Sequence, residues 1–204
     1  MSIVEWGKKI LQKYFIAQSD WIAFRQSSKS LRCSAKILSI ALNDETFLAP
    51  MEDELKQYFI DLKTMNNNCS SNVKLLYGYA IEIGLKAVQL KISGRMDKSH
   101  ACAKIAQSIA QSEDIVSWSE KELLILEIVE IYVNWAGRYP VPKKIEELEV
   151  FKDKRSKLLS FNTDFSIDNL EETWSKIWDV LNSNKASDIW YKRYSLELNQ
   201  RNEK

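Results

Sequence analysis

The stretch that decides the fold is Val73-Lys74-Leu75-Leu76-Tyr77-Gly78-Tyr79-Ala80-Ile81-Glu82-Ile83-Gly84-Leu85-Lys86-Ala87-Val88-Gln89-Leu90-Lys91-Ile92. Leu75, Leu76, Tyr79, Ala80, Ile83, Ala87, Val88 and Leu90 recur at helical spacing over a wide stripe, which predicts a helix at the centre of a bundle rather than on its surface. Glu82 and Lys86 interrupt that stripe. They stand four apart with the acid first, the favourable order, so a pairing on the helix surface accounts for them. Ser93-Gly94 is the stop signal.

Outward from this segment the chain keeps reading as helix. Upstream, Trp6, Ile10, Tyr14 and Phe15 predict a short amphipathic helix. A second helix is expected from Asp20, as N-cap, with Trp21, Phe24, Ser28, Leu31, Ala35, Leu38 and Leu42 on one face. Asn43 to Pro50 reads as a connection and Met51 to Met65 as another helix, ended by the polar run Asn66 to Ser71. Downstream, a short helix is expected through Gln111. Ser119-Glu120-Lys121-Glu122 then has the form of a capping box ahead of an apolar run closed by Gly137. Arg138-Tyr139-Pro140-Val141-Pro142 reads as a rigid turn. Lys143 to Lys157 reads as an exposed helix, and Leu170, Trp174, Ile177, Trp178 and Leu181 mark an amphipathic one. Asp164, Asp168, Glu171 and Glu172 are explained as acids at its start. The seven tryptophans are expected to be core and interface anchors. No alternating pattern survives beyond a few residues, so the expected fold class is all-α: an antiparallel helical bundle with additional C-terminal helices. Its expected divisions are 1–142 for the bundle and 143–204 for a C-terminal helical extension packed on the same domain.

Composition agrees and excludes several function classes. The chain has 204 residues with 5 Gly, 3 Pro and 28% charged side chains, the profile of a helical protein large enough to build a core without staples. A net charge of +1 creates no global pull on nucleic acid, so any such binding must come from a local patch. Cys33, Cys69 and Cys102 show no paired spacing and there is one histidine, His100, which argues against a zinc site and for no metal or cofactor. Cys102 is too near His100 in sequence to be its catalytic partner. No segment reads as a signal peptide or a membrane span, so a cytoplasmic protein is expected.

That single histidine closes the segment Gly94-Arg95-Met96-Asp97-Lys98-Ser99-His100, an R-x-x-x-x-H spacing at the mouth of a helix. An imidazole moves protons near neutral pH. A guanidinium offers a planar fork to phosphate oxygens, and a helix start adds unpaired N–H groups. Phosphodiester chemistry on RNA is the reaction these groups suit.

Read as one unit, Val73 to Ala110 resembles the HEPN domains. Tyr79 to Ala87 is similar to their central helix, which often carries an acid followed by Leu-Lys-Ala, and Arg95 with His100 resembles their R-x(4–6)-H motif. The likeness covers roughly Trp21 to Ala110. Trp135 to Pro142 resembles a segment of a bacterial branch to which no activity is attached. The resemblance implies a HEPN-like homodimer that cuts RNA without metal where two motifs meet. His100 would be the acid/base, Arg95 the phosphate clamp, and Glu82 would orient one of them. It also implies a toxin or phage-defence role, with an antitoxin or regulatory protein as partner. The chain departs from the pattern at Met96, where active members commonly carry a polar residue. The rival expectations are a non-catalytic module of the same fold, binding a protein or nucleotide through the Tyr139-Pro140 turn, and a helical protein in which the spacing is accidental.

Overall fold

A computed structural model describes residues 3–43, 68–113, 115–136 and 145–202, with side chains from Trp21 onward apart from a few near helix ends. Among the described residues the chain is an all-α bundle of seven helices with no strand. They are α1 (Ile3–Asn43), α2 (Asn68–Ser93), α3 (Cys102–Glu113), α4 (Glu120–Ile131), α5 (Ile145–Leu159), α6 (Ile167–Asn182) and α7 (Asn184–Asn202). A π-helical turn, Tyr132–Ala136, extends α4. The helix expected from Met51 to Met65, the connection before it, Gly137 and the Arg138–Pro142 turn lie outside the described residues. So do the side chains of Trp6, Ile10, Tyr14, Phe15, Leu42, Cys69 and Trp135.

The two helices expected before residue 43 are one. Helix α1 runs unbroken through Asp20, which is therefore an interior residue and not an N-cap. The cause is local: Ile16-Ala17-Gln18-Ser19 holds neither Gly nor Pro, so nothing forces the backbone out of the helical well. The expected inward face holds. Ser28 and Ala35 are buried, and Trp21, Phe24, Leu31 and Leu38 pack against the core.

Helix α2 is central, packing against α1, α3, α4, α6 and α7. Its most deeply buried large side chains are Tyr77, Ile81 and Leu85, each fully buried aliphatic contributing about 1.5–3 kcal/mol. At Gly84 the neighbours come close. A methyl group there would stand 3.1 Å from both Ile177 Cγ2 and Ser28 Oγ, so the small residue lets α1 and α6 close on α2 together. The Ser28 hydroxyl donates to the Ala80 carbonyl at 2.7 Å and accepts from Trp174 Nε1 at 3.0 Å, which fixes the three-helix junction.

The capping box forms as written. Ser119 Oγ accepts from the Glu122 N–H, and the Glu122 carboxylate accepts from the Ser119 N–H. Helix α5 is the exposed, charged helix its composition implies, with Leu158 its buried residue. The core is continuous across residue 142: Leu158, Leu170, Trp174, Ile177, Leu181 and Ala186 join the same cluster as Ile81 and Leu126. Among the described residues no helix is long and apolar enough to cross a membrane.

Candidate functional site

Helix α2 stops because Gly94 turns left-handed, with φ of +67°. Its N–H reaches back to the Leu90 carbonyl at 2.9 Å, a cap that glycine adopts without side-chain strain. The segment that follows, Arg95 to Ala101, is stitched to the helix it leaves and to itself. Ser93 Oγ accepts the Arg95 N–H at 3.2 Å and Gln89 Oε1 accepts the Asp97 N–H at 2.7 Å. Asp97 Oδ1 accepts the Ser99 N–H at 2.8 Å, an Asx turn. That backbone bond, followed by the Ser99 side chain, holds the Asp97 carboxyl below its ordinary range. The first helical bond of α3 runs from the Ile105 N–H to the Ala101 carbonyl, so His100 stands just outside the helix start.

His100 turns back onto α2. Its Nδ1 lies 2.9 Å and 3.0 Å from the two oxygens of Glu82. The same carboxylate accepts from Lys86 Nζ at 2.6 Å. The Glu82 and Lys86 side chains are 5% and 9% exposed, so the pair is buried, not on the helix surface as its spacing alone suggests. The wide apolar stripe that makes α2 central turns both charges inward. Burying an ion pair is costly unless further hydrogen bonds satisfy it, and His100 supplies one. The imidazole is itself 48% exposed. Nδ1 faces a carboxylate already engaged by an ammonium, and Nε2 is the ring nitrogen on the side away from it.

The two sequence-predicted residues Glu82 and His100 thus meet. Arg95 is exposed in the same loop, and among the described residues no hydrogen bond or ion pair joins it to either of them. Met96 beside it is partly buried. Two further groups belong to the neighbourhood. Burial, and then the charge of Glu127, raises the Glu130 carboxyl, and the charges of Lys154 and Lys104 oppose this. Glu130 was not a sequence candidate, because nothing local tells which face of α4 meets the loop. Burial pushes the Cys102 thiol well above its usual value, with the charges of Glu82 and Glu130 adding to it. The thiol is therefore inert as a nucleophile. Among the described residues no cluster of His, Cys, Asp or Glu could hold a metal ion.

A second polar cluster lies between α1, α2 and α6. Arg32 makes a two-pronged bond to both Glu171 oxygens, and Tyr77 Oη donates to Glu171 Oε2 at 2.8 Å. The Arg32 guanidinium also covers the Trp174 ring, 5.0 Å from its centroid, and Trp174 stacks on Trp178 at 5.0 Å. Glu171 is therefore an interhelix anchor and not only an acid near a helix start. Burial pushes its carboxyl up, but the Arg32 and Tyr77 bonds outweigh that and hold it below the ordinary range. An open cleft between α4 and α6 is lined by Ser119, Lys121, Glu122, Asn169, Glu172 and Thr173, and Glu122 in its wall pairs with Lys176 of α6 at 2.5 Å. His100 does not line it.

Compared with known proteins, the chain matches no family model, no curated protein and no solved structure.

Proposed function

We propose that this protein is a metal-independent endoribonuclease of HEPN type, built on the antiparallel HEPN-like bundle and acting as a cytoplasmic homodimer. The observation that carries the reading is the half-exposed His100 imidazole, held through Nδ1 by the buried Glu82 carboxylate, in the loop that also carries exposed Arg95. An imidazole so held presents Nε2 outward as a proton acceptor. It takes the proton of a ribose 2′-hydroxyl, whose oxygen attacks the adjacent phosphorus. The 5′-oxygen leaves as an alcohol once it receives a proton from the His100 of the second copy, which enters the step as the imidazolium, and a 2′,3′-cyclic phosphate remains. The Arg95 guanidinium of each copy neutralises charge on the non-bridging oxygens. Glu82 orients the base and stabilises the imidazolium that forms, as carboxylate–histidine pairs do elsewhere. A toxin or phage-defence role, restrained by a protein partner, fits an RNA-cutting activity that a cell must hold in check.

The test is cleavage of end-labelled RNA in chelator. Wild type is expected to leave cyclic-phosphate ends, while His100→Ala and Arg95→Ala, at unchanged helical content, are expected to leave the RNA whole. Intact RNA with the wild-type dimer ends the proposal.

A further inference from the structure

The C-terminal helix reaches the loop that carries Arg95 and His100. On α7, Ala186 and Trp190 are buried and Ile189 packs against the core. The next position on that face is Arg193. Lys91 of α2, a buried lysine, ties the start of α7 to the end of α6: it donates to Ser187 Oγ of α7 at 2.9 Å and to the Leu181 carbonyl of α6 at 2.8 Å. Its cation lies 4.9 Å from the centre of the Trp21 ring. So anchored, α7 delivers Arg193 onto Gly94. A methyl group on Gly94 would lie 2.7 Å from Nη2, 2.8 Å from Cζ and 2.9 Å from Nη1 of Arg193. Three atoms of one plane at nearly equal distance mean that the guanidinium lies flat across the glycine. Gly94 is also the left-handed residue from which the loop departs, so the cover sits on the hinge.

We propose that α7 is the strut of this loop and that Arg193 is a positioning residue. Its flat guanidinium confines Gly94 to the one conformation that sends the chain from Ser93 toward His100. The role assigned to Arg193 is that of holding the hinge, not of a catalytic group. The hydrogen bonds from Ser93 and Gln89 hold the near end of the loop, the Glu82 carboxylate holds the far end, and Arg193 closes the remaining freedom at the hinge. The consequence for RNA cutting rests on the ribonuclease reading above; the mechanical role does not.

The experiment compares the unsubstituted protein with Arg193→Ala, Arg193→Lys and, as a control, the exposed neighbour Lys192→Ala. Amide hydrogen exchange is followed at 94–101 and in α2. Arg193→Ala is expected to speed exchange in the loop by about tenfold, the scale of about 1.4 kcal/mol, and to leave α2 and Lys192→Ala at wild-type rates. Arg193→Lys, whose ammonium cannot lie flat, is expected to fall between. Where RNA is cut, kcat falls by about tenfold to a hundredfold on loss of positioning and KM stays within about twofold, because Arg193 does not meet the substrate. Loop exchange at the wild-type rate in Arg193→Ala overturns the proposal. So does exchange raised equally in α2, unless Arg193→Lys loosens the loop alone. Wild-type protein that cuts no RNA but loosens its loop in Arg193→Ala removes the ribonuclease reading and keeps the strut.

Discussion

Two carboxylates in this molecule are built alike and end in different surroundings. Glu82 holds Lys86 and His100; Glu171 holds Arg32 and Tyr77. Each accepts from a cation and from a second donor. Around Glu171 every partner comes from a helix, and the guanidinium lies over the Trp174 ring. Neither neighbour of that carboxylate changes charge near neutral pH, since burial, and then Glu171 itself, pushes the Tyr77 phenol far up and the bond to Glu171 pushes Arg32 up. Around Glu82 the second partner is a half-exposed imidazole on a loop. A partly buried carboxylate whose partners all come from helices ties those helices together. One with an imidazole partner at the surface holds that imidazole where a ligand can reach it, and this difference makes the first cluster the candidate site and the second a brace.

The sharpest way to break the contrast is to remove each carboxylate's charge and measure RNA cutting. Glu82→Gln is expected to lower kcat by about 10²–10⁴-fold, the usual reach of acid–base catalysis, while Glu171→Gln leaves kcat within about twofold. Equal losses in both would erase the distinction. Stability is the next lever. Lys86→Met strands a buried carboxylate and is expected to destabilise by about 3–5 kcal/mol in urea unfolding. Pairing it with Glu82→Leu is expected to recover most of that loss without recovering RNA cutting, which would separate the cluster's structural contribution from its chemical one.

The brace should respond more mildly. Its ion pair is about a quarter exposed, 22% and 26% for the two side chains. Arg32→Ala is therefore expected to cost about 1.5–3 kcal/mol, the range of one charged hydrogen bond, read from the urea midpoint at unchanged slope. The smallest effect expected is pH dependence. Glu171 titrates below its ordinary value of 4.5 when folded. Its contribution is complete above the unfolded carboxylate range and fades as pH falls through the lower, folded value. Glu171→Gln should accordingly flatten the acid limb of the stability curve against wild type, and a curve of unchanged shape would show that Arg32 does not hold the charge.

How much of this was legible without coordinates differs element by element. The box at Ser119 and Glu122, the stop at Gly94, the exposed charged helix after residue 143 and the amphipathic one around Trp174 all follow from patterns within a few residues of one another. The Asp20 boundary misled because a good capping residue also sits without harm inside a long helix when no breaker accompanies it. The four-residue spacing of Glu82 and Lys86 announces their bond and says nothing of the face on which it lies. Glu171 looked like an acid near a helix start because its true partner, Arg32, stands 139 residues away. Arg193 carried no local signal at all.

The amino-acid order by itself determined the central helix and its stop at Gly94, the capping box at Ser119, and the placing of an arginine and the only histidine in one short loop. Those properties depend on backbone bonds and side chains within about one turn of each other. Packing alone decided that His100 reaches a carboxylate 18 residues back, that a buried ion pair underlies it, and that the C-terminal helix rests on Gly94. Which faces meet is set by the burial of apolar surface across the whole bundle, and that summed preference has no address in any single segment.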